Sequence, residues 1–325
     1  MDEFHEPVLL KEAIDFLQVE KGGIYVDCTL GGGGYAVEIL KRGGKLIGID
    51  CDPEAVGEVQ RKLKQLRGPM GGNWQLFCDN FKNLKEIVEK AELSPFAHPS
   101  HKASGDHTKP LAKCGKASGD SKKVDGVIFD LGVSMHQLKT ENRGFSFLKD
   151  APLDMRMDPR LKVTAMDLVN ALTEKELYVL FGKFGEERNA LPIARAILGA
   201  RGLKKIKTTG ELAQIVEKVY QKNKSLGNIH AATKVFQALR MAVNSELSNL
   251  KAGLDASLHV LGKGKRLVVV SFHSLEDGMV KDFLRLEHGN NILEILTKKP
   301  IVPTVLEVEQ NPSSRSAKLR AGEKQ

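Results

Sequence analysis

Short apolar runs alternating with helical spacing fill the first 90 residues. Ile24–Cys28, Lys45–Asp50 and Trp74–Cys78 are compact and mostly apolar, the pattern of strands buried on both faces. Between them, Ala36–Lys41 and Pro53–Leu66 carry apolar residues at helical intervals. The second opens with Asp52 as N-cap and Pro53 in the first helical position. Such alternation predicts a parallel, doubly wound α/β sheet. A fourth strand, Val124–Asp130, follows only after residues 94–123, which are rich in Ser, Gly, Pro, Lys and His and contain KASGD at 102–106 and 116–120. That composition predicts a disordered surface insertion.

Beyond Asp130 the pattern changes. Residues 140–160 have no regular period, and 164–230 read as helices over Ala165–Asn170, Glu174–Phe184, Ile193–Ala200 and Thr209–Tyr220, with no strand among them. A long helix over Thr233–Leu250 and a helical stretch to Leu261 lead back to a strand at Arg266–Phe272. The expectation is a sheet domain built from residues 1–137 and 238–325, interrupted by a helical substrate-recognition domain over 138–237.

A length of 325 residues fits two such units. With 41% hydrophobic and 28% charged residues, the composition is that of a globular protein. No run approaches the roughly 18 apolar residues needed to span a membrane. The start MDEFHEP carries no Arg-rich presequence, and four cysteines without a Cys-x-x-Cys pair point to a reducing, cytoplasmic home. The net charge is +8, but residues 94–123 hold six Lys against two Asp and 311–325 hold four basic residues against one Glu. Both stretches read as flexible, so the excess charge alone is thin support for a nucleic-acid partner.

Candidate chemistry gathers at the strand ends. In IYVDCTLGGGGYA, Asp27 ends the first strand and Gly31 to Gly34 fill the turn after it, where glycines let a ligand approach the backbone and leave amides free at the helix start. Gly31, Gly33 and Ala36 also satisfy G-x-G-x-x-A, with Asp50 lying 19 residues beyond Gly31 to hold ribose hydroxyls. NAD binding is therefore an alternative reading of this turn. Asp27, four residues before Gly31, favours S-adenosylmethionine, because D-x-x-x-G-x-G is a turn that methyltransferases use. Asp27, Asp50, the Asp79–Phe81 turn and Asp130 fall at carboxyl ends of strands and are expected to ring one crevice. Phe81 is a candidate to stack on adenine. His98, His101, His107 and Cys114 are too irregularly spaced to predict a metal site, and Cys28, Cys51 and Cys78 read as small core side chains. His273 and Glu276 in SFHSLED have the address of an active-site rim, with a helix cap as the other reading.

Longer motifs carry a resemblance. HEPVLLKEA at 5–13, DCTLGGGGYA at 27–36, GIDCDPEA at 48–55, FDLGVSMHQL at 129–138, RGFSF at 143–147 and DAPLDMRMD at 150–158 are followed by FGEER at 184–188 and IARAI at 193–197. HAATKVFQALRMAVNSEL at 230–247, SFHSLED at 271–277 and NPSSRSAKLRAGEK at 311–324 complete the series. Together they resemble the RsmH/MraW family, bacterial small-subunit ribosomal RNA (cytosine-N4)-methyltransferases, over nearly the whole chain. The resemblance implies an α/β fold of the class I (Rossmann-like) S-adenosylmethionine-dependent methyltransferase type with an inserted helical domain. It also implies methyl transfer to N4 of a cytidine in the decoding region of 16S rRNA, within the small ribosomal subunit. By position it places cofactor contacts on Gly33, Gly34, Tyr35, Asp50, Phe81, Asp130 and Gln137, and makes Arg143, Arg156, Arg188 and Arg240 candidates for RNA phosphates, with structural ion pairs as the competing role.

Asp130, or a backbone carbonyl of Leu131–Ser134, is expected to accept a hydrogen bond from the target amino group, unless Asp130 only holds the cofactor. The chain departs from the family pattern at Cys28, Leu30 and Tyr35, at Met135 and His136, and at Ala231. These departures keep open an assembly factor that binds RNA without catalysis. No metal and no membrane are expected, and the oligomeric state is left open.

Overall fold

The computed structural model describes residues 7–65, 73–92, 122–222 and 230–325. The KASGD insertion, apart from Lys122 and Lys123, and its His and Cys residues lie outside these segments, as does Leu66. The sheet half begins with α1 (Leu10–Leu17), β1 (Ile24–Asp27), α2 (Gly34–Lys41), β2 (Lys45–Asp50), α3 (Pro53–Gln65), β3 (Trp74–Cys78), α4 (Leu84–Lys90) and β4 (Val124–Asp130). A short helix, α5 (Met135–Lys139), leads into α6 (Ala165–Ala171), α7 (Glu174–Gly185), α8 (Ala190–Leu203), α9 (Thr209–Lys222) and α10 (Thr233–Val243). The chain returns through α11 (Glu246–Val260), β5 (Leu261–Ser271), α12 (Ser274–Gly289), β6 (Leu293–Ile295), α13 (Val305–Gln310) and β7 (Lys318–Lys324).

These strands form one seven-stranded sheet in the order β3-β2-β1-β4-β5-β7-β6, with β7 antiparallel to both neighbours. This is a doubly wound, Rossmann-like α/β sheet. Its central strands are buried because helices cover both faces: Val26, Ile47, Val127, Phe129 and Val269 pack on one side with α4 and α11, while Tyr25, Leu46, Ile128 and Val268 pack on the other with α1 and α2. A separate apolar cluster gathers Phe145, Leu153, Met155, Phe181, Ile193, Val216, Phe236 and Leu239 from α6 to α10 and the segment before them. That cluster continues through Ala238 and Val243, so α10 straddles residue 237 without a break.

Several expectations are revised. Thr233–Leu250 is two helices, because Ser245 adopts a left-handed conformation (φ 51°) and the Asn244 carboxamide bonds the 155–157 backbone. The last strand of the parallel set starts five residues early, at Leu261, across a register shift between Val124 and Gly126 that accommodates Gly262 and Gly264. Most consequentially, residues 318–324 are not a charged tail: they form β7 inside the sheet, with Arg320 only 7% exposed and its Nε 2.6 Å from Oδ1 of Asp277 on α12. Among the described residues no helix is long and apolar enough to cross a membrane.

Candidate active site

One large cavity, about 1040 Å³, opens at the carboxyl ends of the parallel strands, where open α/β sheets hold their ligands. Its wall includes Gly31, Gly32, Gly34 and Tyr35 from the first turn, Asp50 and Cys51 after β2, Asp79 to Asn83 after β3, and Asp130 to Ser134 after β4. Arg240, Asn244, Glu246 and Glu276 also line it. Asp50, the Asp79–Phe81 turn and Asp130 thus share one crevice. Asp27 does not line it: the side chain is fully buried behind the turn, with Oδ1 taking the Thr29 amide at 3.1 Å and Oδ2 without a partner.

The glycine turn is shaped for two different reasons. Gly33 sits at φ 81°, and a side chain there would press on Val59, while a Cβ at Gly34 would run into the Pro7 ring. At Gly32, by contrast, a Cβ would meet nothing within 4 Å, so that part of the turn presents open backbone to a ligand. Gly33 itself does not reach the cavity wall; its amide bonds the Leu30 carbonyl at 2.7 Å. Asp50 ties the turn down by accepting the Gly31 amide on Oδ2 and the Asp52 amide on Oδ1, both at 2.9 Å. Burial pushes the Asp50 carboxyl up to about 6 against the pull of these amides. Each oxygen keeps a second lone pair for a hydroxyl donor.

Phe81 lines the cavity and meets Phe129 edge to face at 5.4 Å. Asp130 receives no bond on Oδ1, and its amide is held by the Thr29 hydroxyl at 2.6 Å. Burial, with Asp27 and Glu276 nearby, drives the Asp130 carboxyl well above the usual range. Asp27 is raised to about 7, also mainly by burial. A positive ligand would relieve this group of buried acids. Tyr35 is buried with its hydroxyl bonded to the Val8 carbonyl.

Gln137 lines the cavity, but its carboxamide is engaged at both ends: Oε1 accepts the Ser134 amide at 3.1 Å and Nε2 donates to Asp52 Oδ2 at 2.9 Å. Asp52, which sequence marked only as an N-cap, is fully buried and caps α3 through the Glu54 amide. It also receives Arg143 Nη2 at 2.9 Å, and that nitrogen lies 3.1 and 3.0 Å from the carbonyls of Arg156 and Met157. Arg156 is bidentate to Asp154 and bonds the Leu161 carbonyl. Arg240 is bidentate to Glu246 at 2.8 and 2.9 Å on the cavity wall. Of the four arginines considered for RNA, Arg188 is the exposed one with no ion pair among the described residues. The acids beside these arginines in sequence gave warning for Arg156, but Arg143 pairs with a residue 91 positions away.

Residues 2–325 match the family described as MraW methylase. Over 322 residues the chain is 44% identical to the ribosomal RNA small subunit methyltransferase H of Persephonella marina, covering 98% of this chain and 99% of that protein. It is 41% identical over 340 residues to the protein of the same name from Carboxydothermus hydrogenoformans, covering 100% and 99%. Among solved structures, an rRNA methylase from Streptococcus thermophilus superposes with a TM-score of 0.42 at 11% identity, covering 97% of this chain and 93% of that one.

Proposed function

Because the chain belongs to the MraW methylase family, we propose that its cavity binds S-adenosylmethionine and directs the methyl group to N4 of a cytidine in the decoding region of 16S rRNA. The observation that carries the reading is the convergence, in one cavity, of open glycine backbone, a carboxylate after β2, an aromatic ring after β3 and a buried acid after β4. The names of the two relatives described above supply the rRNA. Together they favour methyl transfer over the NAD alternative.

The residues present suit such a cofactor. Asp50 holds the ribose hydroxyls with the lone pairs that Gly31 and Asp52 leave free. Phe81 packs on the adenine ring. The backbone at Gly32 and Gly34 admits the methionine portion, and Tyr35 contributes backbone with its ring held against Val8. When bound, the cofactor supplies an electrophilic methyl carbon on a positively charged sulfur. Asp130, whose Oδ1 has no partner, becomes a carboxylate facing that charge, and Asp27 beneath it reinforces the same field. Gln137 acts indirectly, by holding the 131–134 loop and Asp52 in place.

The cytidine, turned out of its stack, enters from the side of Arg240, Asn244 and Glu246. The helical unit, whose core runs from Phe145 to Val243, carries the surrounding RNA within the small subunit, with Arg188 free for phosphate. Arg143, Arg156 and Arg240 brace the site instead. The protein acts in the cytoplasm. A tritiated-methyl transfer assay tests the reading, comparing naked 16S rRNA with small subunits from cells lacking the endogenous enzyme. Transfer mainly to subunits is expected; cofactor binding without transfer to either substrate would favour the assembly-factor alternative.

A further inference from the structure

The cavity wall holds a buried carboxylate that methyl transfer as described leaves unused. Glu276 lies in the first turn of α12, 2% exposed, and lines the cavity together with Asp130, Arg240 and Glu246. Its Oε2 accepts the Phe272 amide at 2.9 Å, and its Oε1 lies 3.1 Å from Nε2 of His273. The imidazole is fixed in turn: Nδ1 accepts the Glu276 amide at 3.3 Å as the cap of α12. With Nδ1 acting as acceptor, the ring proton resides on Nε2, which lies close to Glu276 but makes no aligned hydrogen bond.

Capping does not require this burial. In α7 the same job is done by Glu176, which is exposed. A capping acid that faces water avoids the cost of desolvating a carboxylate. Nor is the cluster suited to an ion. Glu246, His273 and Glu276 stand within 4.8 Å of one another, yet the Nε2 proton blocks the nitrogen a metal would need, and Glu246 is bidentate with Arg240. What remains is an anionic acceptor on the wall of the same cavity that the glycine turn lines.

We infer that Glu276 is the catalytic residue that accepts a hydrogen bond from the amino nitrogen being methylated and takes its surplus proton, with His273 as its positioning residue. The inference rests on the N4-methyltransferase reading and assigns to Glu276 the role first considered for Asp130. The lone pair of N4 forms the new bond to the methyl carbon, the electrons of the broken carbon–sulfur bond go to sulfur, which becomes a neutral thioether, and the extra N4 proton passes to a Glu276 oxygen and on to water. A carboxylate is the natural acceptor for the cytosine amino group. The O4 of uracil, itself an acceptor, is repelled by it.

The environments of the two cavity acids push them in opposite directions, the pattern of sites in which two carboxyls play different parts. Burial raises Asp130, whereas His273, Arg240 and the Phe272 amide outweigh burial at Glu276 and hold it low. The titratable and charged groups facing Glu276 are His273, Arg240 with its partner Glu246, and Asp130.

E276Q tests this directly, because an amide oxygen still accepts the Phe272 N–H and keeps the cap. The expected result is a fall in kcat of about 100-fold, with the calorimetric Kd for S-adenosylmethionine within about twofold of wild type and an unchanged melting temperature. In H273Q the acid limb of the kcat profile should move to higher pH, a change that a purely structural cap would not produce. A kcat within threefold of wild type in E276Q, a parallel loss of cofactor binding and kcat, or an unmoved pH profile in H273Q would each overturn the assignment. Failure of the underlying reading shows separately, as wild-type protein that makes no N4-methylcytidine.

Discussion

Replacing Arg143 with alanine separates a structural arginine from an RNA-binding one. Its guanidinium pairs with Asp52, which is fully buried, while the Arg143 side chain is 14% exposed. The same Nη2 lies within bonding distance of the Arg156 and Met157 carbonyls. The variant leaves the carboxylate with Gln137 and the Glu54 amide alone. Stranding one member of a buried pair costs about 3–5 kcal/mol. The partial exposure of Arg143 sets the expectation at the lower end, about 3 kcal/mol, or roughly 4 °C in Tm for a chain of this size. A double-mutant cycle with Asp52→Ala should return a coupling of about 2 kcal/mol. The companion assay is RNA binding against salt, where removing a side chain that neutralises one phosphate lowers the slope of log K on log salt by about 0.7–0.9. The slope should stay at its wild-type value. An unchanged Tm together with a slope reduced by that amount would refute the pairing argument and restore Arg143 to the RNA interface.

Three further outcomes follow from the buried acids. The Asp27 carboxyl is raised to about 7 in the fold, so the folded chain binds an extra proton between about pH 4 and 7 and loses stability as pH rises through that window, by at most roughly 4 kcal/mol. Asp27→Asn should flatten the Tm-against-pH curve of the cofactor-free protein there; an unaltered curve would contradict the burial argument. Asp50, raised to about 6, must be ionised to hold hydroxyl donors. Cofactor affinity should therefore weaken up to tenfold per unit below pH 6, and Asp50→Ala should weaken it about 100-fold, both read by calorimetry. Because burial pushes the Asp130 carboxyl well above the usual carboxylate range, binding of S-adenosylmethionine should be accompanied by proton release, and binding of the neutral-sulfur product by less. Titrations in buffers of different ionisation enthalpy measure this, and equal release would count against Asp130 facing the sulfonium.

Much of the sheet half was legible because β1 to β4 are short and largely apolar, and the strand-end acids follow from topology alone. β7 was not: KLRAGEK reads as solvated charge until Asp277, 43 positions before Arg320, neutralises it inside the sheet. The break between α10 and α11 was hidden for a similar reason, since Asn244 is a tolerable helix residue whose carboxamide is claimed by the Met155 carbonyl and Met157 amide. Arg143 and Gln137 sit in motifs that mark the site, but their shared partner Asp52 belongs to the turn after β2. Sequence located the crevice; which polar groups face it and which brace it depended on pairings across the chain.

The most direct test of the central claim is the identity of the methylated nucleoside. Small subunits from cells lacking the endogenous activity would be incubated with the purified protein and S-adenosylmethionine, and the rRNA digested and analysed by mass spectrometry. N4-methylcytidine, absent when the protein is omitted, is the predicted product. A methyl group on a ring carbon, a ribose or a different base, or no methyl group at all, would contradict it.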